Sequence, residues 1–145
     1  MTVQTLDVTW YKGGQVIDKG QHIVNDGSSL ATYLHRSGKD IGYASCTGAA
    51  GSIRLSAENK FVGRSLLIRP VSANAGKVQL SVSAIDTALD GIRKTETADC
   101  TSEVVDVHGY TASDIPVELA DGQTVEVPLN NPQYRLVLSL HRDAL

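Results

Sequence analysis

At 145 residues, with a formal net charge of −3 and a pI near 5.7, the chain has room for one sizeable hydrophobic core and lacks the basic stripe of a nucleic-acid binder. Its Lys and Arg residues form no cluster beyond pairs such as Arg93 and Lys94, so no polybasic membrane patch is present. No apolar run approaches the roughly 20 residues of a membrane-spanning helix, and no membrane insertion is expected.

In chain order, residues 5–11 alternate Leu6, Val8 and Trp10 with Thr5, Asp7 and Thr9. A two-residue period marks a strand with one face in a core and one in water. Trp10, the only tryptophan, is the largest candidate for that core. Gly13 and Gly14 turn the chain, and residues 15–17 and 22–24 read as two short strand pieces separated by Asp18, Lys19 and Gly20. Asn25, Asp26 and Gly27 predict a tight turn, because these residue types tolerate positive φ. Residues 29–36 alternate again, Ser37 to Asp40 read as a turn, and residues 41–46 return as a strand. The small residues at 47–51 predict a loop or bulge that residues 52–56 leave as a strand. Residues 57–63 are the least strand-like and fit one helical turn over Phe61 and Val62. Residues 65–71 are strand, with Pro70 marking an edge or a strand end because proline has no N–H to donate.

The clearest alternation lies at residues 77–87, where Val78, Leu80, Val82 and Ala84 are separated by Gln79, Ser81 and Ser83. Ala75-Gly76 before it and Leu89-Asp90-Gly91 after it supply turns, and residues 88–97 read as a loop. Residues 98–107 resume a strand that His108, Gly109 and Tyr110 end. A hairpin joins residues 115–119 and 124–129 through Asp121 and Gly122, and residues 134–141 form the last strand. About ten short strands with frequent turns predict an all-β protein: a single-domain antiparallel β-sandwich, Ig-like in the loose architectural sense. Uneven strand lengths favour a sandwich over a closed barrel, and no internal repeat or low-complexity linker divides residues 1–145. A true immunoglobulin domain does not fit. Trp10 precedes Cys46, and the residue two before Cys100 is Ala98 rather than tyrosine.

Cys46 and Cys100 are the only cysteines, and their spacing matches neither a zinc ribbon nor a redox motif. One disulfide between them is expected, worth roughly 4 kcal/mol on the chain-entropy model. The alternative is a pair of buried free thiols acting as small hydrophobes. The bridge implies an oxidising compartment. No basic region followed by an apolar stretch opens the chain, so the expectation is an exported protein, periplasmic or secreted, whose leader has been removed and whose Met1 is an added start codon. The competing reading is a cytosolic protein.

The Cys46 and Cys100 pair, taken with the tail ADGQTVEVPLNNPQYRLVLSL, resembles the small exported β-proteins of Gram-negative proteobacteria whose role is unknown, some of them met as antigens in infected hosts. The resemblance brings no catalytic residues with it. It implies a surface-associated or exported interaction protein.

Candidate chemistry is sparse. No Gly-x-Ser-x-Gly elbow is present; Ser52 follows Gly48-Ala49-Ala50-Gly51 but lacks the second flanking glycine, and a bridge would remove both cysteine nucleophiles. Catalytic residues are therefore expected to be none, with a small hydrolase as a third reading. Asp106 and His108 share a strand face, while His22, His35 and His141 are scattered, and neither HExxH nor an EF-hand loop occurs; no metal and no cofactor are expected. Lys39 and Lys77 follow glycines without the spacing of a phosphate loop, so both read as turn residues. The leading expectation is a non-enzymatic protein that binds a protein partner through strand edges or through the loops at 47–51 and 93–99. The alternative is a carbohydrate-binding module. Its candidate residues are Tyr11 and Tyr110, which border predicted turns, whereas Trp10 shares the parity of Leu6 and Val8 and belongs to the core.

Overall fold

A computed structural model describes residues 2–48, 51–97 and 100–144. The protein is all-β, with eight strands among the described residues: β1 (Thr2–Lys12), β2 (Gln15–Asn25), β3 (Tyr33–Thr47), β4 (Arg54–Asn74), β5 (Lys77–Thr97), β6 (Cys100–Ala120), β7 (Thr124–Val127) and β8 (Tyr134–Ala144). They form two antiparallel four-stranded sheets, ordered β2-β1-β8-β7 and β3-β4-β5-β6.

Eight strands replace the expected ten because β4, β5 and β6 each run 21 residues. The expected helical turn at 57–63, the loop at 88–97 and the strand end at 108–110 are all strand. So is the expected turn at 37–40, and residues 15–25 form one strand rather than two pieces. In the other direction, residues 29–32 lie outside β3, with only a bridge from Leu30 to Asn25. The strand expected to open at Ala98 starts at a position outside the described residues. Glycine misleads here: Gly38, Gly63 and Gly109 sit inside strands, where they permit close approach of neighbouring backbones instead of turning the chain. Pro70 is buried within β4. Gly38 of β3 lies against Gly63 of β4, and counting antiparallel from there exhausts β3 before Pro70 is reached, so no residue of β3 stands opposite Pro70.

The chain divides into two compact units. Unit 1 comprises Met1–His35, Leu66–Ala84 and Ala112–Leu145. Here β1 pairs along its whole length with β8, placing Leu6 opposite Leu140, Val8 opposite Leu138 and Trp10 opposite Leu136. All six side chains are buried, as the alternation of both strands requires. Leu66 and Ile68 of β4 and Val78, Leu80, Val82 and Ala84 of β5 are buried at every second position. The buried Gln4 is satisfied by donating to Asp121 at 2.6 Å and accepting from Asn25 at 2.8 Å. That donation from Gln4, with Arg142 adding to it, holds the Asp121 carboxyl below its ordinary range.

The turn after β2 is built by Asp26, whose carboxylate accepts from the backbone N–H groups of Ser28 at 2.9 Å and Ser29 at 2.8 Å. These bonds favour the charged form and lower its pKa from 3.8 to about 2. Because the folded value lies below the unfolded one, the turn's contribution is complete above pH 3.8 and fades as pH falls towards 2. An NMR titration of the Asp26 carboxyl is expected to give a midpoint near 2; an ordinary midpoint would mean that the turn does not hold the carboxylate in solution.

Unit 2 comprises Arg36–Ser65 and Ile85–Thr111. Among its described residues only Val62, Asp86, Cys100 and Val105 are buried. Covalent and backbone devices stand in for a core. Cys46 and Cys100 are joined, with Cα atoms 5.7 Å apart, inside the usual range for a bridge. Beside the bridge, Ser102 Oγ accepts from the Cys46 N–H at 2.9 Å and donates to the Cys46 carbonyl at 3.1 Å. The Ala44 N–H donates to the Glu103 carboxylate at 2.8 Å. Since β3 and β6 are the two edges of their sheet, these contacts close it on itself at that end and satisfy edge groups that would otherwise recruit another strand.

Gly63 has φ +140, and a Cβ there would sit 2.6 Å from the Gly38 Cα, where backbone cannot yield. Gly63→Val is expected to cost at least about 1–3 kcal/mol from the backbone conformation alone. Gly42 is the control: it is not among the positive-φ glycines, and a Cβ there would meet nothing closer than the Asn59 side-chain oxygen at 3.5 Å. Denaturant curves should therefore separate Gly63→Val from Gly42→Val; equal midpoints would remove the close approach from the account.

Candidate functional site

The polar face of β5 forms the floor of a groove of about 610 Å³ in unit 1. The pleat places Gln79 and Ser81 opposite the buried Val78, Leu80 and Val82, and it puts Arg69 and Val71 of β4 on the same outward face. Asp114, Pro116, Val117 and Glu118 of β6 complete the lining. Asp114 adopts φ +53 and donates its N–H to Ser83 Oγ at 3.1 Å, an irregularity that aims its carboxylate at Ser81, whose hydroxyl donates to it at 3.3 Å. Gln79 is fixed from both ends, accepting from Ser72 at 3.0 Å and donating to Glu118 at 3.5 Å. Lys77 neutralises Glu118 at 3.6 Å, whereas Arg69 has no carboxylate partner among the described residues.

The two tyrosines singled out from the sequence lie in different units and form no common platform within either. Tyr11 is half-buried near the Gly13–Gly14 turn, with the Arg135 guanidinium 5.5 Å from its ring centre. Tyr110 does not border a turn, because β6 continues to Ala120. It is half-buried, and that burial raises its phenol pKa. The other tyrosines are also engaged. Tyr33 donates to the buried Asp18 at 2.9 Å, Tyr43 donates to Glu58 at 2.9 Å, and Tyr134 packs 6.0 Å from Trp10. The close carboxylates raise the phenol pKa of Tyr33, after burial, and of Tyr43 above the ordinary value.

Three histidines face aspartates: His35 Nδ1 lies 2.9 Å from Asp18, His108 Nδ1 2.6 Å from Asp90, and His141 is flanked by Asp7 at 3.2 Å and Asp143 at 3.0 Å. An aspartate that orients a histidine is half of a triad, but among the described residues no serine hydroxyl hydrogen-bonds to any of these rings. Asp106 and His108, which share a face, are drawn to separate partners, Asp106 to Arg93 at 2.7 Å. No group of three or more potential metal ligands occurs among the described residues. Of the loops expected to carry contacts, residues 93–97 are strand, and residues 49–50 and 98–99 lie outside the described residues.

Large aliphatic side chains stand in water on unit 2. Leu55 is 72% exposed, Ile92 47%, Ile53 44% and Leu89 39%. The sequence marks no face for these residues, because exposure on both sides of a sheet leaves no alternation to read.

Comparisons with models of protein families, with curated proteins and with solved structures find no match to this chain.

Proposed function

We propose that this is a non-enzymatic, exported interaction protein in which unit 1 is a β-sandwich scaffold and unit 2 carries the surface for a protein partner. The observation that carries the reading is the set of exposed aliphatic side chains on unit 2, led by Leu55 and Ile92. Aliphatic side chains held on a disulfide-closed sheet meet a partner at little ordering cost, which is what a binding surface requires. The sandwich reading is supported by alternate burial on β1 and β8 of one sheet and on β4 and β5 of the other, since each sheet hides one face. Export is supported by the bridge itself, because disulfides persist in oxidising compartments.

The test is site-specific photo-crosslinking in a bacterial envelope extract. A photoreactive residue at position 55 is expected to give one discrete adduct that Ile92→Glu abolishes, whereas the same residue at the exposed position 126 of unit 1 gives none. An adduct of twice the chain mass would identify the partner as a second copy. Absence of an adduct at 55, or equal adducts from both positions, would refute the reading.

A further inference from the structure

The groove on the outward face of β4, β5 and β6 has a composition that the protein-binding reading does not use. Its volume of about 610 Å³ lies within the range of small-ligand sites. One guanidinium, Arg69, stands in it with no carboxylate to satisfy its fork of donors. Across from it, the Asp114 carboxylate accepts a single long bond from Ser81, leaving most of its acceptor capacity open. Gln79, pinned between Ser72 and Glu118, offers a fixed amide plane between the two. Val71, 53% exposed, and Pro116 provide the apolar ground beside them.

We propose that this groove binds a carboxylated oligosaccharide, whose carboxylate docks on Arg69 and whose hydroxyls bridge Asp114, Gln79 and Ser81. The inference is independent of the protein partner proposed for unit 2. A sugar ring presents C–H faces to Val71 and Pro116 and hydroxyls that both donate and accept, which is what a lining of mixed donors and acceptors calls for. A carboxylate matches the planar fork of Arg69 in bidentate geometry. A dianionic phosphate fits less well, because it would meet Asp114 and Glu118 in the same groove with only one unpaired cation to receive it. An extended peptide is disfavoured too. Strand addition beside the groove would have to pair with β6, and there the left-handed Asp114 breaks the extended backbone that pairing requires.

The test begins with an array of carboxylated, sulfated and neutral glycans and proceeds to calorimetric titration of the best binder. Retention confined to carboxylated glycans is expected. Arg69→Gln should weaken the titrated affinity roughly 10- to 100-fold, the range for losing a charge-assisted hydrogen bond. Asp114→Gly should also weaken it while leaving the thermal midpoint unchanged or higher, since glycine accepts φ +53 without strain, so a folding defect and a binding defect are told apart. Lys19→Gln, an exposed charge removed on β2, should leave affinity unchanged. No retained carboxylated glycan, equal binding of neutral or sulfated glycans, or full affinity in Arg69→Gln would each overturn the proposal.

Discussion

The double replacement Cys46→Ser and Cys100→Ser is expected to lower stability by about 4 kcal/mol, the entropy of closing a loop of that length in the unfolded chain. The two residues are separated by 54 positions in sequence, and the bridge joins the two edges of one sheet. The effect is concentrated in unit 2, where only four described residues are buried and no hydrophobic reserve offsets the loss. The side-chain bonds from Ser102 and Glu103 remain, but at about 1 kcal/mol each for ordinary hydrogen bonds they do not replace a covalent link. Hydrogen exchange should localise the change: the amides of Ala44 and Cys46, protected in the oxidised protein, should exchange freely once the bridge is gone. A thiol titration of the denatured, unreduced chain should find none. Superimposable denaturant curves with and without reductant would show that the bridge contributes nothing to stability.

Where a strand buries one face, its place in the fold is written in the sequence. Leu6, Val8 and Trp10, the run from Val78 to Ala84, and Tyr134 to Leu140 were all legible for one reason: water on one side and packing on the other impose a period of two. β5 demonstrates the limit of that rule. Up to Asp86 every even residue is buried, but from Ala88 onwards both faces are largely exposed and the same strand continues without any period to announce it. Alternation reports a buried face, not extended backbone. Glycine compounded the error, since Gly38, Gly63 and Gly109 carry the residue type of a turn while serving strands that approach closely.

The groove was half legible. Gln79 and Ser81 were already the outward face of the central strand, so the floor followed from the period alone. Arg69 and Asp114 did not, because their relevance depends on which strands become neighbours and on a left-handed residue inside β6. Asp tolerates that conformation better than most residues, but tolerance marks no particular aspartate among several. Tyr11 and Tyr110 show the converse. Aromatic identity drew attention to them, while burial and the Arg135 contact occupy much of the surface a sugar would need.

Trp10→Ala is expected to cost about 3–5 kcal/mol, the range for deleting a large buried aromatic. Trp10 is fully buried, packs 6.0 Å from the Tyr134 ring and lies opposite Leu136 on β8, so its removal opens a cavity in unit 1 at the centre of the better-packed sheet. Its indole Nε1 is buried without a hydrogen-bond partner among the described residues, a defect that costs about 1–3 kcal/mol as it stands. Trp10→Phe removes that defect together with part of the ring, so the two changes oppose each other. Its expected net cost is about 1–2 kcal/mol, well below what the lost volume alone would predict. Circular dichroism is the appropriate probe, since either change deletes the only tryptophan signal. If Trp10→Phe proves as costly as Trp10→Ala, the indole N–H is satisfied in solution, and the ring holds the core by a polar contact as well as by its bulk.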